Sequence, residues 1–196
     1  MLNSNLLLDE RGTPALRHVI GMLLRSATRA DIAVSHVRLA ALDLSGDEIA
    51  NVKWCRILLG RLDADSLSGL SAGPGAQRQL ERLLRFVTSG RVRIRSAGMA
   101  AWNPDFSVYT GMMPNDVARR DACLVGSHWF HQPVVENGPS LTCLLTDPAA
   151  VRVATERFTD LWARGHDVLP AVAATIEDAL GRCAGGAVQE TWSSST

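Results

Sequence analysis

Two histidines, His128 and His131, enclose Trp129 and Phe130. Imidazole is a nucleophile, a base and a metal ligand near neutral pH, so this string could hold a metal or supply a catalytic base. On a straight strand, residues at i and i+3 point to opposite faces, and no cysteine or acid stands at an obvious partner spacing. The expectation is therefore no metal and no cofactor. A second chemical feature is Arg91-Val92-Arg93-Ile94-Arg95, in which strict alternation puts three guanidinium groups on one face of a strand. Their intervals of about 7 Å lie close to the phosphate spacing of a single nucleic-acid strand. The stretch from Arg78 to Arg95 holds six arginines and one acid, Glu81, and reads either as a phosphate-binding face or as a solvated face with salt bridges elsewhere. Arg119 and Arg120 add a smaller basic spot. Lys53 is the only lysine among 20 basic residues, which excludes any mechanism needing a lysine elsewhere.

These side chains need a scaffold, and the composition describes one. The chain has 196 residues, 46% hydrophobic and 20% charged, enough for one domain with a substantial core. With 20 Lys+Arg against 20 Asp+Glu, it is neither a generally basic nucleic-acid coat nor a disordered chain. No apolar run is long enough to span a membrane, and the first ten residues lack the basic region of a signal peptide, so the expected address is the cytosol and no membrane partner is expected. Cys55, Cys123, Cys143 and Cys183 form no C-x-x-C pair and read as reduced core thiols.

Hydrophobic spacing lays out the elements. Leu16, Val19, Ile20, Leu23 and Leu24 form a helical stripe over Pro14 to Thr28, with Thr13 at the N-cap and Pro14 at the first helical position. Asp31 to Val37 and Cys55 to Gly60 are short apolar runs of the kind that sit in the middle of a sheet, with a short helix opening at Ser45 between them. After a Gly/Ser/Ala/Pro stretch, Leu80, Leu83, Leu84 and Val87 predict a helix over Ala76 to Val87 with an arginine-rich outer face, stopped by Gly90. Strands are expected at Phe106 to Tyr109, Ala122 to Val125 and Leu141 to Leu145. Asp147-Pro148 opens a helix that buries Val151, Ala154, Phe158, Leu161 and Trp162, and Pro170 to Cys183 forms the last helix. The fold class expected is α/β, a mixed sheet flanked by helices on both faces. Residues 1–12 are expected as an arm, 13–183 as one domain and 184–196 as a flexible tail.

The order of elements and several short strings resemble the phospholipase D superfamily, in particular its single-domain members found as nucleases and beside helicases. That family places His-x-Lys on one strand, Gly-Ser-x-Asn at the end of a second and Asn-x-Glu leading into a third, followed by a helix ending Phe-x-x-Leu-Trp. Here Gly126-Ser127-His128-Trp129 resembles the second string, Asn137-Gly138-Pro139 falls at the third, and Phe158-Thr159-Asp160-Leu161-Trp162 resembles the closing helix. Asn103-Pro104-Asp105 falls where the family reads His-Pro-Lys.

The resemblance implies a phosphohistidine mechanism, and the departures remove its parts. Asn103 is neither a nucleophile nor a proton donor at neutral pH, and Asp105 would repel a phosphoryl group where the lysine attracts it. At a few ångströms in a poorly solvated site that reversal is worth on the order of several kcal/mol. The expected site is thus a degenerate pocket of Asn103, Asp105, Ser127, His128 and Asn137, with no assigned catalytic residue. Trp102, Trp129 and Trp162, three of five tryptophans beside a single tyrosine, fit core or interface packing better than base stacking.

The expected function is a catalytically degenerate phospholipase D-like protein that works as a nucleic-acid-binding or assembly subunit, binding through Arg91, Arg93, Arg95, Arg119 and Arg120. Its partners would be nucleic acid, a second copy of itself, or a helicase or nuclease subunit in restriction or phage-defence machinery. Two alternatives stand beside it: a phosphodiesterase or nuclease using His128 or His131 in a rearranged site, and a structural subunit that docks a protein.

Overall fold

The computed structural model describes residues 6–9, 14–35, 49, 51–60, 76–98, 105–111, 121–126 and 141–189. In chain order these form β1 (Leu6–Asp9), α1 (Pro14–Ser26), β2 (Arg29–Val34), β3 (Trp54–Leu59), α2 (Ala76–Val87), β4 (Val92–Ser96), β5 (Phe106–Thr110), β6 (Ala122–Gly126), β7 (Leu141–Leu145), α3 (Pro148–Arg164), β8 (His166–Asp167) and α4 (Leu169–Gln189). The strands make one sheet in the order β1-β7-β6-β5-β2-β3-β4-β8. β2, β3 and β4 run parallel, and the remaining pairings are antiparallel. The architecture is the expected mixed α/β sheet.

Helices cover both faces of that sheet. On one face α1, α2 and α4 bury Leu23, Leu24, Leu80, Val87, Val172 and Ile176 against Ile32, Ile57, Ile94 and Tyr109. On the other, α3 alone among the described helices packs Phe158 and Leu161 on Ala33 and Leu58, and Val151 on Val108 and Cys123. Because both faces are covered at β2 and β3, their inner ends read as continuous apolar runs, Ile32-Ala33-Val34 and Ile57-Leu58-Leu59, all buried.

Local chemistry sets the element ends. The Asp147 side chain accepts from Ala150 N at 2.9 Å and Pro148 follows it, so α3 begins with an acidic cap and a proline that needs no amide partner. Gly90 takes φ +76° after α2, a conformation that a side chain would strain. Gly111 takes φ +68° at the β5–β6 turn, where an added Cβ would collide with Thr28 Oγ1.

The ends of the domain differ from expectation. Part of the stretch expected as an arm is β1, paired antiparallel with β7. An extended segment beside β7 satisfies backbone groups that an open edge would leave unpaired. α4 runs past Cys183 to Gln189, so the stretch expected as a tail begins as helix. Extending an existing helix costs far less than nucleating one, and no proline interrupts it there. The short helix expected at Ser45 lies outside the described residues. Among those residues, no helix is long and apolar enough to cross a membrane.

All four cysteines are free, and the two innermost are shielded. Burial and the nearby Asp31 carboxylate push the Cys55 thiol from 9.0 up to about 12, and burial pushes Cys123 up to about 11. A raised thiol pKa keeps its stabilising contribution below the unfolded value near 9.0 and loses it as pH rises through the folded value, so stability should fall between those limits. Alkylation at mildly alkaline pH followed by mass mapping should label the half-buried Cys143 and Cys183 first. Cys55 and Cys123 should react only after denaturation.

Candidate functional site

Two clusters of polar residues interrupt the apolar sheet, and they lie on opposite faces. The first is a crevice at the C-terminal end of β2, lined by Ile32, Val34, Asp105, Phe106, Leu124, Gly126 and Thr142. Asp105 enters it immediately before β5 and is 4% exposed. Its Oδ1 accepts the Ser35 backbone N–H at 2.7 Å, and its carbonyl accepts from Gly126 N at 2.9 Å. The residue therefore ties the ends of β2, β5 and β6 together through both side chain and main chain. Beside it, Thr142 is 1% exposed and its Oγ1 has no hydrogen-bond partner. Further along β5, burial drives the Tyr109 phenol well above its usual pKa, an effect that the nearby Ser107 hydroxyl partly offsets.

The chemistry of this crevice is that of a carboxylate among aliphatic and aromatic walls. Among its described lining residues none carries a guanidinium, ammonium or imidazole group, and Asp105 is the one that carries a carboxylate. Asn103, Ser127, His128 and Asn137, expected in the same pocket, lie outside the described residues, as do Trp102, Trp129 and His131.

The second cluster lies on the α3 face of β2, β3 and β4. Asp31, 1% exposed in the middle of the sheet, receives Arg56 in a two-pronged pair, Nε to Oδ1 at 2.7 Å and Nη2 to Oδ2 at 2.8 Å. Arg29 approaches Oδ2 through Nε at 3.0 Å and Nη2 at 2.9 Å. Two guanidinium groups thus share one carboxylate, leaving a net positive charge. The planar fork of arginine matches carboxylate geometry, which a lysine would not.

α3 closes over this cluster with its two rings. Phe158 and Trp162 stack at 5.7 Å between centroids, and the Arg56 guanidinium lies 4.7 Å from the Phe158 centroid and 5.3 Å from that of Trp162. Arg95 reaches the same tryptophan at 4.9 Å and donates through Nη1 to the Trp162 carbonyl at 2.9 Å. That hydrogen bond satisfies a carbonyl in the last turn of α3, where a cation also complements the helix dipole. Gly165 permits the close approach, since a Cβ there would stand 3.0 Å from Arg95 Cβ.

The three arginines of the alternating string therefore separate. Arg91 and Arg93 are exposed, Arg91 donating to the Val52 carbonyl at 3.4 Å and Arg93 to the Gly90 and Val92 carbonyls at 3.2 and 2.9 Å. Arg95 is half-buried under Trp162. Arg119 and Arg120 lie outside the described residues. Lys53 is exposed just before β3. Sequence reasoning missed Arg29, Asp31, Arg56 and Trp54; the available signal was a charged residue inside each of two runs otherwise apolar enough for a sheet interior.

No protein-family model and no curated protein matches the chain. Solved structures do. The phospholipase D family member Nuc from Salmonella typhimurium superposes with a TM-score of 0.53 at 15% identity, covering 84% of this chain and 97% of that one. NucT from Helicobacter pylori gives 0.52 at 12%, covering 84% and 98%. TrmBL2, an archaeal chromatin protein described as having a novel mode of DNA binding, gives 0.51 at 12%, covering 84% of this chain and 54% of its own. The fold is phospholipase D-like, as the sequence strings implied.

The buried ion pair makes a direct prediction. Asp31→Ala leaves two guanidinium groups without their carboxylate and should lower unfolding free energy by about 3 kcal/mol in urea titration. Arg56→Ala should cost less, because Asp31 keeps Arg29. A second prediction concerns the crevice: Asp105→Ala orphans the Ser35 amide and should cost about 1–3 kcal/mol.

Proposed function

We propose that this chain is a phospholipase D-like protein without phosphodiesterase activity that works as a nucleic-acid-binding or assembly subunit. The observation that carries the reading is Asp105. Its carboxylate occupies the string position where the resembled family has lysine, it is buried at a crevice, and a main-chain amide fixes it in place. A transferring phosphoryl group there would meet like charge in a poorly solvated setting. Binding has better support. Positive charge gathers on the opposite face of the sheet, around Arg29, Arg56, Arg91 and Arg93, and one structural neighbour is described as a DNA-binding chromatin protein.

Within this reading the protein partner is a second copy or a helicase or nuclease subunit, in a restriction or phage-defence setting, with the protein in the cytosol. Co-purification from the native host with mass-spectrometric identification tests that part.

The purified chain should show no hydrolysis above blank of bis(p-nitrophenyl) phosphate, single-stranded DNA or RNA across roughly pH 5 to 8, where imidazole titrates, with or without divalent metal. Cleavage abolished by His128→Ala in a protein that still folds would establish the rearranged histidine site instead. Nucleic-acid affinity should fall with salt at a log-log slope of about 0.7 to 0.9 per phosphate contacted. Association that ignores salt would mark a protein-docking subunit.

A further inference from the structure

Trp54 opens β3 and is 57% exposed, an unusual position for the largest side chain. Its neighbours are set by strand register. Trp54 stands opposite Arg29 of β2, and because Cys55 pairs with Val92, Arg91 flanks it on the β4 side. Two residues further along the same strands, Asp31, Arg56 and Arg93 lie side by side. Alternation puts all of these on the α3 face, since Cys55, Ile57, Val92 and Ile94 are buried on the other. α3 covers the row beyond, at Ala33, Leu58 and Arg95, and leaves Trp54 open. Among the described residues, Asp31 is engaged between its two arginines and Asp121 accepts from the Gly111 amide at 3.0 Å.

We propose that the N-terminal ends of β2, β3 and β4 form a stacking platform for single-stranded nucleic acid, with a base laid on Trp54 and the adjoining phosphates held by Arg29, Arg91 and Arg93. The inference rests on the nucleic-acid reading above and adds the place and the kind of strand. An indole ring on a sheet offers a π-face that any unpaired base can cover, with no sequence requirement. In a duplex each base face is already covered by its neighbours, so the ring would have nothing to stack on. The guanidinium groups around the indole fit an anionic partner, whereas an apolar protein surface would leave them desolvated. Register places Arg29 on the β2 side of the indole and Arg91, with Arg93 beyond it, on the β4 side, so phosphates on either side of a stacked base meet a guanidinium. The platform is separate from the Asp105 crevice, which lies on the opposite face and at the other end of β2, about 16 Å away along a strand of this length.

The test is fluorescence anisotropy of labelled oligo-thymidine and of a labelled duplex, with the full chain at fixed salt. The wild type should bind the single strand more tightly, with quenching of tryptophan emission. Trp54→Ala should weaken single-strand binding about tenfold or more and leave duplex binding unchanged, while Trp54→Phe retains most of the affinity. Arg93→Glu should weaken both, and Arg78→Glu, on α2 across the sheet, should matter less. Because Trp54 is exposed, unchanged thermal melts should accompany its variants. Salt-sensitive binding that is indifferent to Trp54→Ala would overturn the platform and leave the nucleic-acid reading standing. No binding of either probe would overturn both, and self-association that depends on Trp54 while nucleic-acid binding does not would overturn the platform alone.

Discussion

The Asp31 carboxylate is the constraint on which one whole face of this sheet is built. A charge at 1% exposure in a central strand is tolerable only when its oxygens are filled, and four N–H donors from Arg29 and Arg56 fill them. Once Arg56 is fixed, its flat guanidinium becomes a surface for α3, and Phe158 and Trp162 settle on it as they would on an aromatic ring. The helix that covers this face is therefore held by two kinds of contact. Leu161 and Val151 bury against apolar strand residues, and the rings pack on the guanidinium groups of Arg56, paired with Asp31 one strand away, and Arg95.

Arg95 shows how this arrangement divides a uniform string into separate tasks. Three arginines at alternate positions have the same intrinsic chemistry, but α3 ends directly over the last of them. Its guanidinium is used up by the Trp162 ring and carbonyl, whereas Arg91 and Arg93, beyond the helix, remain exposed. The same boundary separates the two described tryptophans: Trp162 is part of the packing, and Trp54 faces solvent.

The two polar clusters have opposite signs because they serve opposite ends of the parallel strands. At the C-terminal end of β2, Asp105 is part of the architecture, bridging three strand ends through hydrogen bonds to backbone amides. At the N-terminal ends, positive charge exceeds the single carboxylate that organises it. The described crevice beside Gly126 thus carries a carboxylate, and Arg29, Arg56, Arg91 and Arg93 lie on the opposite face of the sheet.

The helices and strands were legible in the sequence because each obeys a local rule. Period-3.6 stripes, apolar runs and the Asp147-Pro148 start are properties of neighbours along the chain, and the structure reproduces α2 over Ala76–Val87 and β7 over Leu141–Leu145 as they predicted. The short strings from Asn103 to Trp162 also pointed to the fold, which the solved structures share. What the sequence could not hold was the partnership of Asp31 with Arg56, 25 residues apart, or of Arg95 with Trp162, 67 apart. Nor could it show that α3 stops short of Trp54. Those outcomes depend on strand register and on where a helix end falls across the sheet, which are settled only when distant segments pack together. Charge type and periodicity are written residue by residue, whereas exposure and pairing belong to the assembled fold.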